Sequence, residues 1–580
     1  MFTRSKRLVG LAAIAAAAVG LAACGGGGGT QEPSRPKVSK GFASCLQDPN
    51  GCNTGPTKKG GTLVFAVEQD VSVWHVNSAD GGHYATSQMM SGLLPAPFVT
   101  QPDYSVVLNT DVMVSAEQTS TSPQTIVYKI RPEAKWNDGT PISAQDFLYN
   151  LWTFDGKTCA SCTPGSTSGY ELVDTATAAD NDKTLTITYK EPFPDWKGLF
   201  TLYPAHVAKQ AGWSGTKEDA AGLAKSFKAF ETTQPTWSGG PYQIESYSKG
   251  VALTEVPNKA WYGKVQPALD KIVWRVIEEQ ASLVPALRNG EIQAMGPQPN
   301  QQLVNDVSQL SNVNYLVAPG LSFEHFDINT KNKYLADEAL RKAMFTAVDR
   351  EDIIRKTVGL FSKDTKPLGN HIYMPGSKNY QDHVTPTGMG QGKIEEAKKV
   401  LTDAGYKDVG TALKTPSGEK IPALRFRHTV GNQLRANTAQ LFQASMKQLG
   451  LDITIQTTDA LSATLNSGDF DVMIFAWVLT PLVGTQAKDL WSTTSPQNYA
   501  KHSDPEYDKI AEEAAKTTDE AKLAELNNQA VKILTENAVV LPLFQRSNMI
   551  AVEKTFVNVR NNGTSAGPAY NTQDWGASAD

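Results

Sequence analysis

The sequence predicts an α/β protein of more than one domain. Segments with strand periodicity alternate with segments of helical periodicity along the chain. About 520 residues follow a Gly-rich stretch near the N-terminus, more than one hydrophobic core organises. No internal repeat appears.

The chain opens with Arg4, Lys6 and Arg7, an apolar run from Leu8 to Ala23, and Cys24. Residues 1–23 therefore read as a secretory signal peptide. The run is about 16 residues, short for a spanning helix. "LAAC" at 21–24 resembles the lipobox of bacterial lipoproteins, so Cys24 is expected to carry a diacylglyceryl anchor. An ordinary signal peptide with a chance cysteine is the alternative. Two acyl chains suffice for stable attachment, since each buried CH₂ contributes roughly 0.8 kcal/mol. Residues 24–59 are rich in Gly, Pro and polar side chains and read as a lipidated flexible tether. Its reach is about 30 Å. No later apolar run has spanning length, so the protein is expected at the extracellular face of the membrane, held only by its lipid.

The formal charge is −5, and removing residues 1–23, with three basic and no acidic side chains, makes it −8. That balance excludes nucleic acid as a partner and fits poorly with an anionic lipid surface. Besides Cys24 there are two local cysteine pairs, Cys45/Cys52 and Cys159/Cys162. Outside the cell such pairs suggest disulfides that staple surface segments. The C-x-x-C of "CASC" has a redox alternative, but it lies in a Thr/Ser/Gly-rich stretch rather than between a strand and a helix. No Cys or His lies near either pair to complete a metal site.

The ordered chain starts near "GGTLVFAV" (60–67), a strand. "TIVYKI" (125–130) and "KTLTITYKE" (183–191) alternate apolar and polar residues, the mark of half-buried strands. In "WNDGTPISAQDF" (136–147), Asp138-Gly139 is a tight turn and Thr140-Pro141 keeps the chain extended. Ser143 is then placed as an N-cap with Asp146 completing a capping-box pattern. Phe147, Leu148, Leu151 and Trp152 supply the buried face of the helix that follows. "ALRKAMFTAVDREDIIRKTVG" (339–359) reads as two short helices, the second capped by Asp349 and ended by Gly359. "IEEAKKVLTDAGY" (394–406) carries an apolar helical face, with Gly405 placed to end it. A long amphipathic helical stretch over about 505–537 precedes the strand "VVLPLF" (539–544).

Catalytic signatures are missing. "GWSG" (212–215) and "GSTSG" (165–169) lack G-x-S-x-G spacing, and there is no H-E-x-x-H. "ADNDKT" (179–184) lacks the rest of a calcium loop and reads as a turn before a strand. "GMGQG" (388–392) lacks the spacing of a dinucleotide-binding loop. No enzyme, no metal and no cofactor is expected. Aromatic residues are more informative: Trp74 beside His75, Trp237, Phe323 and Trp477 fall where the chain crosses between segments. Aromatic rings there offer contact area with few rotors, although core packing is the ordinary role of each one alone.

Several segments, in order, resemble the extracellular solute-binding proteins of the peptide/nickel family, the oligopeptide- and dipeptide-binding lipoproteins of ABC importers. They are "TIVYKIRPEAKWNDGTPISAQDFLYNL" (125–151), "GGPYQIESYSKGVALTEVPNKAWYG" (239–263), "LDKIVWRVIEEQASLVPALRNGEIQAM" (269–295) and "FDINTKNKYLADEALRKAMFTAVDREDII" (326–354), followed by "AKKVLTDAGY" and "GDFDVMIFAWV". The Gly-rich tether and "CNTGPTKKGGTL" look like the actinobacterial branch. The resemblance implies an α/β, two-lobed, periplasmic-binding-protein-like fold (Venus flytrap, type II). Lobe I would comprise residues 60–95, 231–318 and 535–580, with an extra subdomain over 96–230, and lobe II residues 319–534.

The same resemblance implies ligand contacts. Phe323 and His325 match aromatic positions where lobe II faces the cleft, and Ser238 and Gly239 would sit near it on lobe I. Trp74, His75 and Trp237 join this expected set. Peptide-binding members often place an Asp three residues after the Trp matched by Trp477, where it holds the peptide α-amino group. Here that position is Thr480, which cannot pair an ammonium. The expected function is a monomeric, lipid-anchored component that captures oligopeptides between the lobes and delivers them to ABC permease subunits. The alternative is the same role for an oligosaccharide, an opine-like compound or a metal chelate. A secreted hydrolase and a surface chaperone or adhesin are the remaining classes.

Overall fold

The computed structural model describes residues 41–580. The expected signal peptide, Cys24 and the first part of the tether lie outside the described residues. From Gly41 onward the tether expectation is corrected, because the chain is folded against the body. Phe42 is buried and Cys45 is disulfide-bonded to Cys52. Asn53 Nδ2 donates to Val559 O (2.9 Å), and Arg560 Nε donates to Cys52 O (2.7 Å). The strand Thr57–Lys58 pairs antiparallel with Gly576–Ser578. Partnered backbone and a buried aromatic hold this segment where composition alone suggests a linker.

A ten-stranded mixed sheet runs through the molecule. Its order is Ile453–Thr458, Leu424–Thr429, Val472–Val478, Val313–Ile328, Val540–Glu553, Ala294–Met295, Thr62–Val67, Lys271–Val276, Ala252–Pro257 and Tyr242–Ser248. The two longest strands, Val313–Ile328 and Val540–Glu553, pair antiparallel at its centre. Their register holds from Val313↔Glu553 to Pro319↔Ser547, then shifts before resuming at Phe323↔Gln545. Beyond the shift, Ser322–Ile328 takes Val472–Val478 as its other neighbour; before it, Ala551 and Val552 take Met295 and Ala294.

Side chains change core at this register shift. One core gathers residues from Phe42 to Ala294 and from Ile550 to Trp575, with a satellite that includes Val313 and Met549. The others gather residues between Leu321 and Phe544. Val540, Leu541, Leu543 and Phe544 still pack in the second group, so the returning strand changes core after Phe544, later than the expected boundary at residue 535.

Residues 96–230 build a four-stranded antiparallel sheet, ordered Met113–Thr121, Gln124–Ile130, Thr184–Tyr189 and Val173–Ala179, and the helices Ala144–Phe154, Ala205–Gln210 and Ala220–Thr232. Its buried side chains merge with the first core. The helix Ala144–Phe154 begins as its sequence predicts. Gln145 N donates to Ser143 Oγ (3.2 Å), and Ser143 N donates to Asp146 Oδ2 (2.8 Å). Asp138 Oδ1 accepts from Thr140 N (2.9 Å) in the preceding turn, where Gly139 takes φ +91°.

Two helices, Glu338–Ala347 and Arg350–Lys356, follow the pattern read over 339–359, and Asp349 caps the second by accepting from Asp352 N (2.8 Å). That helix stops at Lys356, before Gly359, which sits in a 3-10 turn. The stretch over 505–537 is two helices, Pro505–Ala515 and Glu520–Glu536, because Asp519 starts a new cap on Lys522 N (2.8 Å). Cys159 and Cys162 form the second disulfide.

Candidate functional site

A cavity of about 1180 Å³ lies between the two groups of cores. On the first side its walls include Asp103, Tyr104 and Gln118, then Pro194 through Lys197, then Leu316 and Ala318. On the second side they include Leu321, Ile372 through Asn379, Leu479 through Val483, and Leu523. The crossing strands form its floor: Leu316 through Leu321 span the register shift, and Gln545 faces the cavity from the partner strand. Gln545 Nε2 donates to Gly320 O (2.7 Å), which ties the two strands where their backbone pairing lapses.

Two loops with the same three-residue pattern enter the first wall. Pro102-Asp103-Tyr104 and Pro194-Asp195-Trp196 each place an acid and an aromatic ring at the cavity. In the first, Asp103 Oδ1 accepts from Ser105 N (2.9 Å) and Ser105 Oγ (2.6 Å). Partial burial pushes its carboxyl up, but these donors and Asn50 outweigh burial and hold it below the ordinary range. Tyr104 takes φ +67°, and its hydroxyl donates to Pro319 O (3.0 Å) at the register shift.

In the second loop, Asp195 reaches across the cavity. Its Oδ1 accepts from Gly484 N (3.0 Å) and its Oδ2 from Thr485 N (3.1 Å). Burial raises its pKa; the two N–H groups oppose that rise and the nearby Asp489 adds to it. A second cross-link, Lys516 Nζ to Glu191 Oε2 (2.8 Å), is solvent-screened and weaker. Lys197 Nζ lies over the Trp196 ring at 5.6 Å, leaving an ammonium at the wall. Lys378 and Glu520 face each other at 3.6 Å in solvent. The rest of the wall is largely aliphatic, proline and aromatic.

Of the residues expected to contact ligand, Thr480 lines this cavity, exposed, with its hydroxyl donating to Leu482 O (2.5 Å). The others lie elsewhere. Trp74 packs edge-on to Tyr247 at 5.0 Å. His75 is fully buried, stacked on Tyr203 at 4.0 Å and flanked by Phe227, and burial pushes its pKa down to about 3. Trp237 sits among Trp136, Tyr203 and Phe230. Ser238 Oγ donates to Tyr242 O (2.5 Å), forming a turn in which Gly239 N donates to Leu93 O (2.9 Å). A Cβ at Gly239 would meet Pro95 at 2.8 Å, so only glycine fits there. Gly239 borders a separate cavity of about 390 Å³ inside the first side of the molecule.

Phe323, His325 and Trp477 are brought together on the other side. His325 is 5.2 Å from Phe323 ring to ring, stacks parallel to Trp477 at 6.1 Å, and lies 3.4 Å from Asp327 Oδ1. This is a packed cluster that also takes in Phe475 and Tyr499. The cavity residues that sequence reasoning missed include Asp103, Tyr104, Asp195 and Trp196. The repeated Pro-Asp-aromatic pattern is the signal that could have found them. Among the described residues no group of His, Cys, Asp or Glu could hold a metal ion.

The family model for bacterial extracellular solute-binding proteins, family 5 (middle), matches residues 109–499. The chain belongs to this family. This family 5 protein is 28% identical over 542 residues to the oligopeptide-binding protein OppA of Mycobacterium tuberculosis (strain ATCC 25618 / H37Rv), covering 91% of this chain and 88% of that one. It is also similar to the solved periplasmic EDTA-binding protein EppA, with a TM-score of 0.86 and 33% identity over 92% of this chain and 99% of that one. The oligopeptide-binding protein AppA of Bacillus subtilis, solved with a nonapeptide, shares the fold at a TM-score of 0.70 and 19% identity, covering 90% and 100%. The two-lobed α/β fold is thus that of family 5 solute-binding proteins, and these relatives are binding proteins rather than enzymes.

Proposed function

We propose that this family 5 protein is the lipid-anchored, extracellular binding component of an ABC importer, and that it captures oligopeptides in the cavity between its lobes. The observation that carries the reading is the cavity itself, about 1180 Å³, with walls drawn from both sides of the register shift. A solute touching both walls favours the closed arrangement, and only that differential affinity shifts the population of lobes. Largely apolar walls with few fixed charges suit side chains of many kinds. A peptide α-amino group would find no carboxylate at Thr480, so it would lie toward solvent or near Asp103. The mycobacterial OppA supports the peptide reading by its name. The anchor rests on the N-terminal sequence; among the described residues no helix is long and apolar enough to cross a membrane. Delivery as a monomer to permease subunits completes the reading.

A second reading, a non-peptide solute such as a metal chelate, is favoured by Thr480 and by the similarity to an EDTA-binding protein. Native mass spectrometry of the purified protein, followed by analysis of the solute released on denaturation, separates the two. A mixture of peptide masses is expected; a single non-peptide mass contradicts the peptide reading.

A further inference from the structure

The disulfide-closed loop near the start of the folded chain is fixed to the body but leaves one large apolar side chain in solvent. Leu46, the residue after Cys45, is 57% exposed despite being a large apolar side chain. Cys45, Leu46, Pro49 and Cys52 all line the cavity between the lobes. The loop and the residue after it are held from three directions. Arg560 Nε donates to Cys52 O (2.7 Å), Asn53 Nδ2 donates to Val559 O (2.9 Å), and Asp103 N donates to Asn50 Oδ1 (3.1 Å). The last contact joins the loop to the Asp103-Tyr104 wall. Inside the loop, Asp48 N donates to Ser44 O (2.8 Å) and Cys52 N to Asp48 O (3.0 Å), so its backbone groups are partnered. A loop crosslinked, internally bonded and tied to the body at its middle and at its end does not swing as a lid. It holds Leu46 at a set place beside the cavity.

We infer that the Cys45–Cys52 loop is a fixed wall of the solute cleft and that Leu46 is a specificity contact for an apolar side chain of a bound peptide. This rests on the peptide reading above and adds to it a selecting residue from a segment whose composition reads as linker. Leu46 keeps its apolar surface in water until a solute covers it, so covering it contributes to binding and not to folding. An ammonium or carboxylate placed against it would lose hydration with no partner in return.

The test uses the full mature chain and a degenerate pool of nonapeptides, with the retained peptides identified by mass spectrometry. Wild type is expected to enrich peptides with Leu, Ile, Met or Phe at one position, and Leu46→Ala to reduce that enrichment about tenfold, the size expected when a large apolar contact shrinks to a methyl. Leu46 is exposed, so this variant keeps its fold, which an unchanged melting temperature confirms. Cys45→Ser combined with Cys52→Ser is expected to blur the same position while the other positions keep their preferences. Retention of the pool by wild type with an identical profile for Leu46→Ala overturns the wall and leaves the peptide reading standing. Retention of no peptide by wild type overturns the peptide reading, and the role of Leu46 with it.

Discussion

Glu255 lies fully buried in the first core, on the strand Ala252–Pro257, and neither carboxylate oxygen makes a hydrogen bond. Burial pushes its pKa up to about 8, and the neighbouring Trp274 indole only partly offsets this. In the unfolded chain the same carboxyl has a pKa of about 4.5. As pH rises through that value the unfolded state releases a proton that the folded state keeps, so stability falls between about pH 4.5 and 8. Glu255→Gln is expected to flatten this part of the stability profile, with its largest gain in melting temperature at the alkaline end. Calorimetry across the range checks it, and parallel profiles for variant and wild type would contradict it. His75 acts with the opposite sense: its neutral ring is favoured, and its contribution is lost as pH falls from 6.5 toward about 3. Neither residue carries a local pattern that announces burial, which is why His75 reads from sequence as a ligand contact and proves to be a core ring.

At the scale of the element, local chemistry decides where helices begin, and there the sequence is easily read. Ser143, Asp349 and Asp519 each start a helix by accepting from backbone N–H groups that have no partner in the first turn. Asp146 does more than a capping-box acid needs. Besides Ser143 N it accepts from Ala205 N (2.7 Å), the first residue of another helix, and it is fully enclosed. Burial lifts its pKa to about 6 against these donors. Asp146 also accepts from the Trp136 indole Nε1 (3.4 Å), so Asp146→Ala removes three bonds and leaves Ser143 N, Ala205 N and Trp136 Nε1 without that partner, at a cost of about 1–3 kcal/mol. Urea denaturation is expected to show a lower midpoint with an unchanged slope. A loss no larger than that of an exposed helix acid would show that the contact to Ala205 adds nothing. Boundaries set by tertiary contacts are less legible. The returning strand stays with the second group of cores through Phe544 because Val540, Leu541 and Leu543 face those cores, and no turn residue marks the change.

The whole molecule is organised by one antiparallel strand pair that changes partners and cores at a register shift, with the cavity above it. The order of segments in the sequence identifies the family and its two lobes. The cavity walls are harder to read, since loops distant in the chain meet there: Asp103 and Asp195 from one side, Met374 and Leu482 from the other. Aromatic content drew attention to Trp74 and Trp237, which pack in the first core away from the cavity; Trp196 belongs to the same core yet also lines the cavity, and Tyr104 sits in a short loop with little periodic context. Asp195, bonded to Gly484 and Thr485, already links the lobes. A solute between them would add contacts to both. Hydrogen–deuterium exchange of the purified protein, with and without the nonapeptide pool, tests that most directly. Protection is expected to rise together around Asp103–Ser105 and Asp195–Lys197 on one lobe and around Ile372–Asn379 and Leu479–Val483 on the other. Protection confined to one lobe, or absent from all four segments while peptide is bound, would contradict a solute held between the lobes.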